Sequence, residues 1–251
     1  MKRAAVLGTE IDRISLTGAA EQALALMVQR RGAYVVTPNT EIVLLARRNP
    51  ELRAALGAAD LSICDGVGVL IASHILGDPI AERIAGIDFA SALLSRMAER
   101  SMNVFLLGSK EGVAARAADA LRRAYPGLVI AGTENGFFDA RDEDTLIERI
   151  STLSPDLLLV CLGSPKQELW MYRCASRLRV GLMAGLGGAL DVFSGDVERA
   201  PPLLRRYGLE WLYRLLRQPE RLKRDLALPR IVISALRNRI GGKKQKWQTE
   251  N

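Results

Sequence analysis

Asp65 ends the apolar run Leu61-Ser62-Ile63-Cys64 and is followed by Gly66 and Gly68, which let a ligand approach closely. A carboxylate placed so has the chemistry of a general base, able to take a hydroxyl proton as the oxygen attacks an anomeric carbon. A capping aspartate in a turn has the same local sequence, and the residues alone leave the two readings level. Upstream, Thr37-Pro38-Asn39-Thr40 joins the apolar run Tyr34-Val35-Val36 to a helical pattern. Thr37 and Asn39 offer short polar groups there, although a helix cap plus a proline turn is what capping preferences favour. Arg83 has the fork geometry to clamp a diphosphate through paired hydrogen bonds, with a solvated surface loop as the alternative. Asp88, five residues on, reads as the cap of the next helix.

Two further segments resemble each other. Leu106-Leu107-Gly108-Ser109-Lys110-Glu111 and Cys161-Leu162-Gly163-Ser164-Pro165-Lys166-Gln167-Glu168 each carry a buried run into Leu-Gly-Ser, then a lysine and a helix start. A helix N-terminus after a glycine turn presents unpaired N–H groups to an anion, so both are candidate phosphate cradles. In open α/β sheets, ligands bind at strand carboxyl ends of this kind.

Other chemistries lack parts. One histidine cannot build a His-based metal site, and His74 on an apolar helical stretch reads as structural. Cys64, Cys161 and Cys174 have no paired metal spacing, read as core residues and suit a reducing compartment. The one Asp-x-Asp match, Asp142-Glu143-Asp144, sits at a helix start, where the macrodipole favours acids, and is assigned no metal. Gly185-Leu186-Gly187-Gly188-Ala189-Leu190 lacks the last glycine of a dinucleotide fingerprint, which argues against a dehydrogenase.

The elements that must hold these residues alternate. Apolar runs at 34–36, 61–64, 104–107, 128–130, 157–161 and 180–183 are near-continuous, as in strands buried on both faces. Helical patterns lie between them at 17–30, 40–48, 88–100, 112–124 and 142–152, with Ser15 or Thr17 capping the first. The expected fold is α/β, a mostly parallel sheet with helices on both faces, over residues 1–199.

From residue 200 the composition changes. Residues 200–247 hold thirteen Lys and Arg against Glu210, Glu220 and Asp225, ten positive charges in excess, while the whole chain carries +7 and its remainder therefore −3. Leu203, Leu204, Tyr207, Trp211, Leu212, Leu215 and Leu216 recur at helical spacing. This predicts an amphipathic, basic helical appendage over 200–251, cut into short helices by Pro219 and Pro229 and ending in a disordered run from Gly241. The excess charge calls for an anionic partner, nucleic acid or a lipid surface. The basic N-terminus has too short an apolar run for a signal peptide, and no uncharged stretch reaches the roughly 18–20 residues of a membrane span. The expectation is a cytoplasmic chain, soluble or peripherally attached.

Taken together, Thr37-Pro38-Asn39, Asp65-Gly66, Arg83 with Gly86-Ile87-Asp88, Leu107-Gly108-Ser109, Gly136-Phe137-Phe138, Gly163 to Glu168 and Gly185 to Gly188 resemble the WecG/TagA/CpsF glycosyltransferase family. Their order and spacing cover about residues 1–235. The resemblance implies an inverting, metal-independent and cofactor-free transferase. It would move N-acetylmannosamine, its uronic acid or a related sugar from UDP to undecaprenyl-diphosphate-linked N-acetylglucosamine, in making cell-surface polymers. It further implies Asp65 as base, Thr37 and Asn39 in the sugar pocket, and Arg83 and Gln167 facing donor or acceptor. Gly108, Ser109, Lys166 and Asp191 are added as donor-binding residues. The appendage then has a lipid surface to lie on, and can bring Arg214, Arg221 or Arg224 to the acceptor diphosphate. Its apolar face could equally pack on a second copy of the chain, so homo-oligomerisation stays open. The rival readings are a nucleic-acid-binding protein using the basic tail, which predicts salt-sensitive binding independent of Asp65, and a UDP-binding regulator without turnover.

Overall fold

The structure is a computed structural model and describes residues 2–29, 32–139, 141–201, 203–204, 213 and 227–240. Its frame is a six-stranded, all-parallel sheet in the order β4-β3-β8-β7-β5-β6. The strands are β3 (Ala33–Val36), β4 (Leu61–Ser62), β5 (Asn103–Gly108), β6 (Val129–Glu134), β7 (Leu157–Cys161) and β8 (Leu182–Gly185). Alternate residues of each inner strand feed two cores. Val35, Leu106, Leu159 and Ala184 lie in one, and Val36, Leu107, Val160 and Met183 in the other.

The helices sort between the two faces by the direction of travel. Crossovers moving toward β6 use α5 (Gly86–Ala98) and α6 (Val113–Ala124), whose Phe89, Leu93, Ala117 and Leu121 join the first core. Crossovers moving toward β4 use α2 (Thr40–Ala46), α3 (Pro50–Gly57), α7 (Asp142–Leu153) and α8 (Lys166–Cys174), whose Ile42, Leu52, Ile147 and Trp170 join the second. Right-handed βαβ units permit only this arrangement. The connection after β5 therefore leaves toward β6, and the one after β7 toward β8. A crevice opens between them at the carboxyl ends of the strands, where such sheets take ligands. The short α9 (Ala189–Phe193) follows β8 and packs Ala189 and Leu190 into the first core.

The α/β expectation holds, with local corrections. β6 is an edge strand and only half-buried, so its short apolar core at 128–130 did not signal burial on both faces. The N-terminal segment forms an unforeseen antiparallel hairpin of β1 (Arg3–Val6) and β2 (Thr9–Asp12), turning at Leu7-Gly8 with φ of 50° and 91°. Buried Asp12 ties it to the sheet, accepting from Ser62 N at 2.8 Å and Arg3 Nε at 3.1 Å. Ser15 caps α1 (Leu16–Gln29) as expected, its Oγ accepting from Gly18 N.

Pro229 stands at the start of a helix. It lies in the first turn of α10 (Ala227–Ile240), where its missing N–H costs nothing. That helix packs on α4 (Val67–Leu76) and α2, burying Ile231 and Ala235 with Val43, Val69 and Ala72. The three helices meet at Gly68, where a methyl group would stand 2.4 Å from Thr40 Oγ1 and 2.7 Å from Leu228 Cδ1. His74 is exposed near the end of α4 rather than buried, its Nδ1 2.9 Å from Leu70 O. All three cysteines are buried.

Candidate active site

Thr37 closes β3 and is buried, and its hydroxyl donates to Gly185 O at the end of β8 at 2.9 Å. Asn39 is the N-cap of α2, its side-chain oxygen accepting from Glu41 N at 2.9 Å and Ile42 N at 3.1 Å, so the capping role foreseen for it is real. Asp65, half-buried beyond β4, is held by its backbone N–H on Pro38 O. Its Oδ2 accepts from Gly86 N, the first residue of α5, at 3.3 Å. A side chain at Gly86 would begin 3.4 Å from Leu186 Cδ2, 3.5 Å from Asp65 Oδ2 and 3.8 Å from Thr37 Cγ2, so these three residues converge on one point.

Gln167 reaches the same strand end from the other side. Its Oε1 accepts from Gly187 N at 2.9 Å, and its Nε2 donates to Glu168 Oε1 at 2.8 Å. The turn Gly185 to Gly188 is thus fastened at Gly185 by Thr37, at Leu186 through its N–H on Val160 O, and at Gly187 by Gln167. Asp65, Thr37 and Gln167, predicted separately, share this one rim.

Arg83 lies on the loop before α5, close enough to oppose the rise of the buried Cys64 thiol. Burial first, then the Asp65 carboxylate, push that thiol up to about 12. Asp88 is not the α5 cap, because that helix begins at Gly86 with no side-chain cap. Asp88 instead takes a forked pair of bonds from Arg199, at 2.7 and 3.2 Å.

Across the crevice, Ser109 Oγ donates to Asp191 Oδ1 on α9 at 2.6 Å, joining two residues assigned separately to the donor. Gly108 has φ of +133°, and a methyl there would stand 2.3 Å from Cys161 O, so only glycine lets β5 end against β7. Lys166 is exposed. Its ammonium donates to Gly136 O at 3.0 Å and sits 4.9 Å from the centre of the Phe138 ring, bracing the loop after β6.

Asp142, Glu143 and Asp144 occupy the first turn of α7, where Glu143 pairs with Arg173 and Asp144 with Arg177. Among the described residues no three His, Cys, Asp or Glu side chains gather as a metal would require. Arg214, Arg221 and Arg224 lie outside the described residues. The sequence reading missed Glu168 as a site residue, although the 164–168 motif contained it. It is fully buried yet bonded to Ser164 and Gln167, and only the fold reveals that.

The structure is thus a doubly wound α/β protein with a carboxylate, a hydroxyl, an amide and glycine turns gathered at the strand ends where such sheets take ligands. The chain belongs to the glycosyl transferase WecG/TagA/CpsF family, whose sequence profile matches residues 4–245. It is also 38% identical over 210 residues to the N-acetylglucosaminyldiphosphoundecaprenol N-acetyl-beta-D-mannosaminyltransferase of Bacillus spizizenii, covering 84% of this chain and 81% of that one. The chain is accordingly a glycosyltransferase.

Proposed function

We propose that the enzyme transfers N-acetylmannosamine, or a closely related sugar such as its uronic acid, from UDP to undecaprenyl-diphosphate-linked N-acetylglucosamine. Asp65 takes the proton of the acceptor hydroxyl as that oxygen attacks the anomeric carbon from the face opposite UDP. The C–O bond to the diphosphate breaks, UDP leaves with its electron pair, and the anomeric centre inverts. Thr37 and Asn39 line the sugar side, while Arg83 and Gln167 face the diphosphate or the acceptor. Gly108, Ser109, Lys166 and Asp191 form the donor side of the crevice. The name of the Bacillus relative supports the substrate pair. The observation that carries the reading is the convergence of Asp65 and Thr37 beside Gly86 and the Gly185–Gly188 turn.

The lipid acceptor places the work at a membrane surface. Among the described residues no helix is long and apolar enough to cross a membrane. The outer face of α10 instead exposes Ile233, Leu236 and Ile240 beside Arg230 and Arg237, an apolar stripe bordered by cations that suits anionic lipid. UDP release with a short-chain prenyl-diphosphate N-acetylglucosamine acceptor tests the reaction. Release from UDP-N-acetylmannosamine that needs the acceptor and vanishes in Asp65→Asn supports it; release unchanged in Asp65→Asn would discard the base.

A further inference from the structure

Glu168 is fully buried in the first turn of α8, and among the described residues no cation pairs with it. The charged side chains around it are engaged elsewhere or point to solvent. Lys166 is bound to Gly136 O, and Arg173 to Glu143. On α3, Arg53 has a partner of its own and Glu51 is exposed. A buried carboxylate without a cation is costly, and the usual response is to take up a proton.

The hydrogen bonds accommodate such a proton. Ser164 Oγ lies 2.7 Å from Glu168 Oε1 and 2.8 Å from Oε2, and Gln167 Nε2 lies 2.8 Å from Oε1. A proton on Oε2 gives each of the three contacts a hydrogen of its own, beside those of the Ser164 hydroxyl and one N–H of Gln167. An ionised carboxylate would share the single Ser164 proton between its two oxygens. We propose that Glu168 carries that proton. It is a neutral positioning residue that donates from Oε2 to Ser164 Oγ and accepts at Oε1 from Gln167 Nε2. This fixes which way the Gln167 amide points, and hence which of its atoms meets Gly187 N. It also lets Ser164, on the turn at one side of the crevice, rotate its own proton to a phosphate oxygen without stranding the carboxyl. An ionised Glu168 would lose one of its two side-chain donors in that rotation. Burial, the largest influence on the group, raises its pKa, in keeping with this assignment.

The Ser164 half rests on the donor reading above, and the experiment separates the two. Infrared spectra of the wild type near neutral pH are expected to contain a protonated-carboxyl C=O band that Glu168→Gln lacks. Calorimetry with UDP should place Glu168→Gln within about threefold of the wild type, because an amide offers the same donor and acceptor. Ser164→Ala and Glu168→Ala should bind UDP about ten- to a hundredfold more weakly, the range for a lost hydrogen bond to a charged group. No such band, a Glu168→Gln chain that fails to fold, or Ser164→Ala binding like the wild type would overturn the proposal. A wild type that binds no UDP overturns the donor reading and with it the role of Ser164, while the band still decides the proton.

Discussion

Replacing Thr37 by valine keeps the shape of the side chain and deletes one donor. The hydroxyl lies 2.9 Å from Gly185 O, at a residue 6% exposed, so the carbonyl cannot readily turn to water instead. Leaving a buried acceptor unpaired costs about 1–3 kcal/mol. In a domain of this size each kcal/mol moves Tm by about 2–4 °C, so Thr37→Val is expected to melt about 2–12 °C lower. Thr37→Ser keeps the bond and loses one methyl, worth roughly 0.8 kcal/mol. Turnover should separate the two variants further. Gly185 begins the turn that meets Gln167 and faces Asp65 across Gly86, and a shift of roughly 1 Å in reacting groups can cost about a hundredfold in rate. Thermal unfolding followed by circular dichroism, with UDP release on the lipid acceptor analogue, reads both effects. Valine and serine variants melting alike would show that the bond contributes nothing. A destabilised Thr37→Val with wild-type turnover would show that the turn does not govern the chemistry.

Asp65→Asn should lower turnover by about 10²–10⁴-fold while leaving UDP affinity within a few-fold, as calorimetry beside the kinetic assay would show. Gly108→Ala meets both a positive φ and a carbonyl at 2.3 Å, and should cost at least about 2 kcal/mol, read from denaturant unfolding. Burial raises the pKa of Glu168 in the folded chain, so the folded state holds this proton more tightly than the unfolded state. Its contribution to stability is complete below the ordinary carboxyl range and is lost as pH rises through the folded value. The Tm of Glu168→Gln should therefore gain on the wild type as pH increases across that window, and parallel curves would refute this. Charging the outer face of α10 with Ile233→Glu and Leu236→Glu should abolish flotation with anionic liposomes and leave Tm nearly unchanged.

Local sequence carried the strands well where both faces are covered, because an unbroken apolar run such as Leu157–Cys161 is too short for a buried helix and too apolar for a loop. It failed where partners come from afar. The β1–β2 hairpin has only four residues a strand and depends on Asp12 reaching Ser62, a contact 50 residues apart. Asp88 read as a cap because its true partner, Arg199, lies 111 residues away. The strand-end positions of Asp65 and Thr37 were legible from the apolar runs before them, and the family from the ordered motifs. Glu168 was not, since an acid early in a helix usually faces solvent, and its burial follows from how α8 packs against the sheet. Asn39 illustrates a third case, where the same atoms serve a cap and border the site.

The strand order has a consequence for synthesis. Among the described residues β8 is the last strand made, yet it sits between β3 and β7 at the middle of the sheet. Until residues 182–185 have left the ribosome, β3–β4 and β7–β5–β6 have no shared hydrogen bonds, and two wholly apolar strands show open edges to one another and to neighbouring chains. Nascent or truncated chains ending before Leu182 are thus the aggregation-prone species. The same late insertion that joins the halves also delivers Gly185 to Thr37, so the sheet and the rim of the candidate site are completed together.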